Sequence, residues 1–138
     1  MNKTCEDRIE SHLESRIDYM RQLWQAYCGE SVDDEEITEE SIYEFGLAFD
    51  YVAPGTFGDQ LEPYWRYQIS YGGPSEEIRF YSGGPTYTPY RVEFVFLDWF
   101  DGAIRQLCGA DLDLMLNYWQ WFAETETTAA VQEKAMAD

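Results

Sequence analysis

Positive charge is scarce in this chain. Nine Lys and Arg residues stand against 27 Asp and Glu in 138 residues, giving a formal net charge of −18 and a pI near 4.1. Such a balance repels nucleic acid and anionic membrane surfaces and attracts basic proteins, many of which bind nucleic acid. Cysteine is sparse too. Cys5, Cys28 and Cys108 are odd in number and widely spaced, with no CxxC pair. That argues against a disulfide framework or a zinc site and predicts reduced, mostly buried thiols. His12 is the single histidine, so a nucleophile triad has little to draw on; a surface or boundary role is expected for it. No apolar run reaches the roughly 18 residues of a transmembrane helix. The segment Met1–Asp7 lacks the apolar stretch of a signal peptide, so a cytosolic protein is expected.

Apolar side chains are not lacking. They make up 45% of the residues, and 17% are aromatic, which is not the composition of a disordered acidic tail. One domain with a sizeable core is expected from the length. The carboxylates should therefore sit in fixed places on a folded body. A plain solubility role for the charge is the alternative.

The periodicity predicts an amphipathic helix over residues 5–27, with Ile9, Leu13, Ile17, Met20, Trp24 and Tyr27 at three- and four-residue steps. Thr4 and Asp7 have the spacing of a capping box, and Gly29 can stop the helix. Glu30 to Glu40 is the densest acidic stretch, holding Glu30, Asp33, Asp34, Glu35, Glu36, Glu39 and Glu40 with no basic residue. A loop is expected at its start and a short helix, capped by Thr38, through about Phe45.

From Gly46 the period becomes two. Strands are predicted from about 46 to 52, from Tyr64 to Tyr71, from Glu77 to Ser82 and from Arg91 to Trp99. The last is apolar on both faces beyond Phe94 and should be central. Gly72-Gly73-Pro74 and Gly83-Gly84-Pro85 read as hairpin turns, not phosphate loops. Arg66, Arg79 and Arg91 are expected to meet Glu77 and Glu93 on the polar face. Asp101-Gly102 should break the fourth strand. Helix is expected over 103–108 and again over 111–123, with Leu112, Met115, Leu116, Trp119 and Phe122 buried, followed by a fraying tail from about residue 124. The expected architecture is α+β: an antiparallel sheet of about four strands packed by N- and C-terminal helices.

Carboxylate pairs such as Asp98 with Asp101, or Asp111 with Asp113, could hold a divalent cation, but no EF-hand spacing occurs and chance pairs are common at this density. No catalytic, cofactor or metal site is assigned. Tyr71, Tyr81, Tyr87 and Tyr90, near the glycine turns, are either an interface or the sheet's own packing.

Phe49-Asp50-Tyr51-Val52-Ala53-Pro54, Tyr67-Gln68-Ile69-Ser70-Tyr71-Gly72-Gly73-Pro74 and Asp98-Trp99-Phe100-Asp101-Gly102 resemble stretches of small accessory proteins of plasmids and phages. In charge and size the chain is similar to DNA-mimicking anti-restriction and anti-CRISPR proteins. That resemblance implies a small cytosolic inhibitor that blocks a nuclease or its DNA-recognition complex. The retained arginines and the Tyr/Trp-rich sheet depart from the most extreme mimics and leave room for shape-specific inhibition. The expected partner is a basic nucleic-acid-binding protein or complex. The expected contact residues are Glu10, Glu14 and Asp18 on the first helix, with Glu30, Asp33, Asp34, Glu35, Glu36, Glu39 and Glu40. Carboxylates on a rigid helix and loop can imitate phosphates, which lie roughly 7 Å apart along a strand. Two other classes are open: an immunity protein against a basic toxin nuclease, and a small enzyme or ligand-binding domain with a deep pocket between sheet and helices.

Overall fold

A computed structural model describes residues 4–137. In chain order the elements are α1 (Cys5–Tyr27), α2 (Ile42–Phe45), β1 (Ala48–Val52), β2 (Tyr64–Ser70), β3 (Ser75–Tyr81), β4 (Arg91–Asp98), β5 (Asp101–Gln106), α3 (Gly109–Glu124) and α4 (Thr127–Ala137). The strands form one antiparallel meander in the order β1-β2-β3-β4-β5. The class is α+β, with five strands where the sequence pattern gave four.

α1 follows its apolar period. Ile9, Leu13, Ile17, Met20, Leu23 and Ala26 are buried, and the Thr4–Asp7 capping box is present. Gly29 adopts φ +87 and closes the helix: the Gly29 and Glu30 backbone N–H groups donate to the Ala26 and Gln25 carbonyls. Trp65, Ile78, Phe80, Phe94 and Phe96 point from the sheet into the same core as α1 and α3. Phe49 stacks on Phe122 at 4.2 Å, and the Tyr118 hydroxyl donates to the Met20 carbonyl at 2.7 Å. Aromatic rings thus fill the space between the sheet and the helices.

The fifth strand lies where helix was expected over 103–108. Asp101-Gly102 does not end the sheet; it opens β5 after a turn of two residues, Trp99 and Phe100. A six-residue segment carries too little periodicity to separate helix from strand, and pairing with β4 satisfies its backbone. Both turn residues are left-handed, with φ +49 and +62. That conformation costs roughly 1–2 kcal/mol for each non-glycine residue. The segment from 124, expected to fray, forms α4. Its anchor is Thr128, which is fully buried: its hydroxyl donates to the Pro85 carbonyl at 2.7 Å, and the Trp65 indole donates to the Thr128 carbonyl at 3.1 Å. The buried stripe of α3 is Leu114, Met115, Tyr118, Trp119 and Phe122; Leu112 and Leu116 are half-buried. α2 is one turn long, and residues 38–41 form a turn before it.

Gly46, between α2 and β1, lies against the Tyr67 ring so closely that an alanine methyl would fall inside it. Tyr67 is buried and cannot swing away. Gly46→Ala is therefore expected to cost about 2 kcal/mol or more, read as a lower urea midpoint with an unchanged slope. Unaltered stability would show that Tyr67 has room to move.

Candidate functional site

Every arginine in the chain is ion-paired. Arg8 meets Asp98 at 2.6 Å, Arg16 meets Glu76 at 2.7 Å and Arg21 meets Asp111 at 3.3 Å. On the outer face of the sheet Arg66 pairs with Asp50, Arg79 with Glu77, and Arg91 with Glu62 and Glu93. The expected meeting of Arg79 with Glu77 and Arg91 with Glu93 is present, but along single strands. Asp50 and Glu62 are partners the sequence pattern did not supply. Arg79 and Arg91 also lie over the Tyr64 and Tyr81 rings. Arg105, from β5, holds both Glu6 and Glu10.

The fold thus uses its guanidinium charge internally and leaves a definite set of carboxylates unopposed. Glu6, Glu10, Glu14 and Asp18 follow one another at four-residue spacing on α1, a row with a rise of about 6 Å per step. Arg105 engages both carboxylates of its first half and offsets one of their two charges. Glu14 and Asp18 lie at the exposed edge of a groove that Leu13, Ile17, Arg21 and Asp111 also line. Glu10 therefore flanks the expected site, not its centre.

Glu30, Asp33, Asp34, Glu35, Glu36, Glu39 and Glu40 are all exposed, and no Lys or Arg occurs between Arg21 and Arg66. Two side-chain-closed turns shape the segment. The Glu36 N–H donates to Asp34 Oδ1 at 2.9 Å, and the Thr38 N–H donates to Ser41 Oγ at 2.8 Å. Ile37 and Ile42 are buried beneath it, and Tyr43 packs edge-on to Trp121. A like-charged loop would otherwise expand through self-repulsion; apolar anchors at Ile37 and Ile42 oppose this. The acids on α1 and those of the loop lie on consecutive segments joined at the Gly29 cap.

Three of the four carboxylates weighed as cation ligands are engaged elsewhere. Asp98 binds Arg8, Asp111 binds Arg21, and Asp101 accepts the Cys5 backbone N–H at 2.8 Å. That N–H bond is the main reason the Asp101 carboxyl is held below its usual range. Among the described residues no group of three or more His, Cys, Asp or Glu is arranged to hold a metal ion. Only Cys5 of the three thiols is buried; Cys28 and Cys108 are exposed, against the expectation of mostly buried cysteines.

One polar cluster escaped the sequence reading. Glu76 is 1% exposed on the inner face of β3, where Arg16 grips it through Nε and Nη2, Ser70 donates to it at 2.9 Å, and His12 Nδ1 lies 3.4 Å away. The His12 ring packs on Phe96, which gives it the expected boundary position. A register shift between Gln68 and Ser70 turns Ser70 toward Glu76. Burial pushes the Glu76 carboxyl up, but the Arg16 and Ser70 hydrogen bonds and the Arg16 charge together hold it below the usual range. This arrangement locks α1 onto β3. The Ser70 hydroxyl is turned to Glu76 and Pro74, not to the imidazole.

Of the tyrosines near the glycine turns, Tyr81 packs on Tyr64 while Tyr71, Tyr87 and Tyr90 are exposed. No family model, no curated protein and no solved structure matches this chain. Among the described residues no helix is long and apolar enough to cross a membrane.

Proposed function

We propose that the chain is a non-enzymatic inhibitor of a host nucleic-acid-targeting defence system, of the anti-CRISPR or anti-restriction kind. It works in the host cytosol as an acidic substitute for DNA on a basic DNA-binding surface. The observation that carries this reading is the pairing of every arginine with a carboxylate of the same chain. Glu14, Asp18 and the dense run of the 30–40 loop are among the carboxylates left without an arginine, and the loop is held on a frame of Ile37, Ile42 and Tyr43. Preorganised charge of one sign steers a basic groove and displaces its counterions much as DNA does. The roughly 6 Å step along α1 is close to the spacing of phosphates along a strand.

The test is an affinity column carrying this protein, loaded with host lysate and eluted in turn with duplex DNA and with salt. Release of a DNA-binding nuclease or CRISPR complex by DNA is the expected result. A single toxin nuclease held at high salt and indifferent to DNA would replace this reading with an immunity protein.

A further inference from the structure

We propose that the β4–β5 hairpin tip is a docking anchor that places Trp99 and Phe100 in an apolar pocket, edged by basic side chains, on a partner protein. Two consecutive left-handed residues in a two-residue hairpin turn call for Asn-Gly or a similar pair. Here the positions hold Trp and Phe, at φ +49 and +62. The fold receives no burial in return: Trp99 is 86% exposed and Phe100 fully so. Trp65, Phe80 and Tyr118 are packed away, and Trp99 and Phe100 are more exposed than the surface tyrosines Tyr71, Tyr87 and Tyr90. The strain therefore serves the display of two rings and not the core.

The base of the hairpin is rigid. Asp98, before the turn, is bound by Arg8; Asp101, after it, accepts the Cys5 N–H; both partners belong to the first turn of α1. The register places more apolar surface at the same end of the sheet. Tyr71 sits in the β2–β3 turn and is 78% exposed. Leu97, paired with Ser75 and Gly102, is exposed on the outer face together with Ile104. Rigid aromatic side chains with two rotatable bonds give contact area at low entropic cost and dominate binding hot spots.

Charge selects the occupant. Asp98 and Asp101 at the hairpin base, with Glu6 and Glu10 of α1 beside Arg105 further along β5, stand against only Arg8 and Arg105, an excess of two negative charges among these six groups. An anionic lipid surface is repelled there, and a second copy brings a further net charge of −18. A protein pocket with a basic rim is complementary in both respects. This inference rests on the preceding reading only in taking the partner to be basic; it does not require that the partner bind DNA.

The test places p-benzoylphenylalanine at position 100 and irradiates cells of the host that express the full chain. The expected adduct is with a basic protein. That protein, purified, should bind the wild type and bind the Trp99→Asn, Phe100→Gly variant about 30-fold or more weakly. The variant itself should melt a few degrees higher, because Asn and Gly relieve the left-handed turn. A purely structural role for the rings would lower the melting temperature instead. An adduct with lipid, with a second copy or with nothing overturns the proposal, and so does equal affinity of the variant. A tip-dependent partner that duplex DNA does not displace would leave the hairpin assignment standing and sink the DNA-mimic reading.

Discussion

Replacing Glu14, Asp18, Asp33, Asp34, Glu35, Glu36, Glu39 and Glu40 by their amides is expected to weaken inhibition about 100-fold without unfolding the protein. The magnitude follows from steering by an unopposed field, which raises association roughly 10- to 1000-fold and is lost with the charge. The fold should survive because none of these carboxylates holds an arginine. The Asp34 turn should survive as well, since an Asn oxygen accepts the Glu36 N–H as an Asp oxygen does. Less self-repulsion should leave the melting temperature level or higher. Glu6→Gln with Glu10→Gln forms the internal comparison: Arg105 already engages both carboxylates and offsets one of their two charges, so inhibition should change less than in the loop variant. A 100-fold loss in the comparison variant and none in the loop variant would move the contact to the N-terminal half of α1.

Glu76→Gln is expected to be the most damaging conservative change. The carboxylate is 1% exposed, whereas the Arg16 side chain is 34% exposed and can recover some hydration. Breaking the pair should therefore cost about 2–3 kcal/mol, below the 3–5 kcal/mol of a fully buried pair. The pH dependence has a definite sign. Because the Glu76 pKa in the folded state lies below its ordinary value of 4.5, the unfolded chain takes up this proton first as pH falls. The contribution is complete above about pH 5 and fades as pH drops through the folded value. The stability gap between wild type and Glu76→Gln, measured by urea denaturation, should be widest at pH 7 and narrow at pH 3.5. Glu62 and Asp101 are also held below their usual ranges, Glu62 mainly by the Tyr90 hydroxyl and Asp101 by the Cys5 N–H, and they steepen the acid limb in both proteins. A gap that stays constant with pH would mean that Glu76 acts through shape alone.

α1, β2, β3 and β4 were legible because their apolar side chains recur with the period of the element, and each packs one face against the core. β5 was not, since Ala103 within it and Leu107 just after it, four apart, mimic a helical step while Ile104 lies half-exposed. α4 was hidden for another reason. Its hold on the sheet is Thr128, a polar residue in an Ala-rich stretch, bonded to Trp65 and Pro85 far away in sequence. The acidic loop could be read directly as charge density. The neutralisation of Glu10 could not, because Arg105 lies 95 residues away and arrives only through the unread strand. Glu76 was invisible for a similar reason. The pattern started the third strand at Glu77 and so two residues too late, and nothing in the sequence shows the shift that turns Ser70 toward it. The Trp99–Phe100 turn read as the end of an apolar strand, since Trp and Phe rarely occupy left-handed turn positions.

Competition between this protein and duplex DNA on the captured target tests the central claim most directly. A labelled duplex, bound to the purified target, is titrated with this protein at several duplex concentrations and several salt concentrations. The proposed function predicts that half-displacement rises in proportion to free duplex, and that the affinity of this protein for the target falls with salt. A stable ternary complex of target, duplex and inhibitor would contradict it.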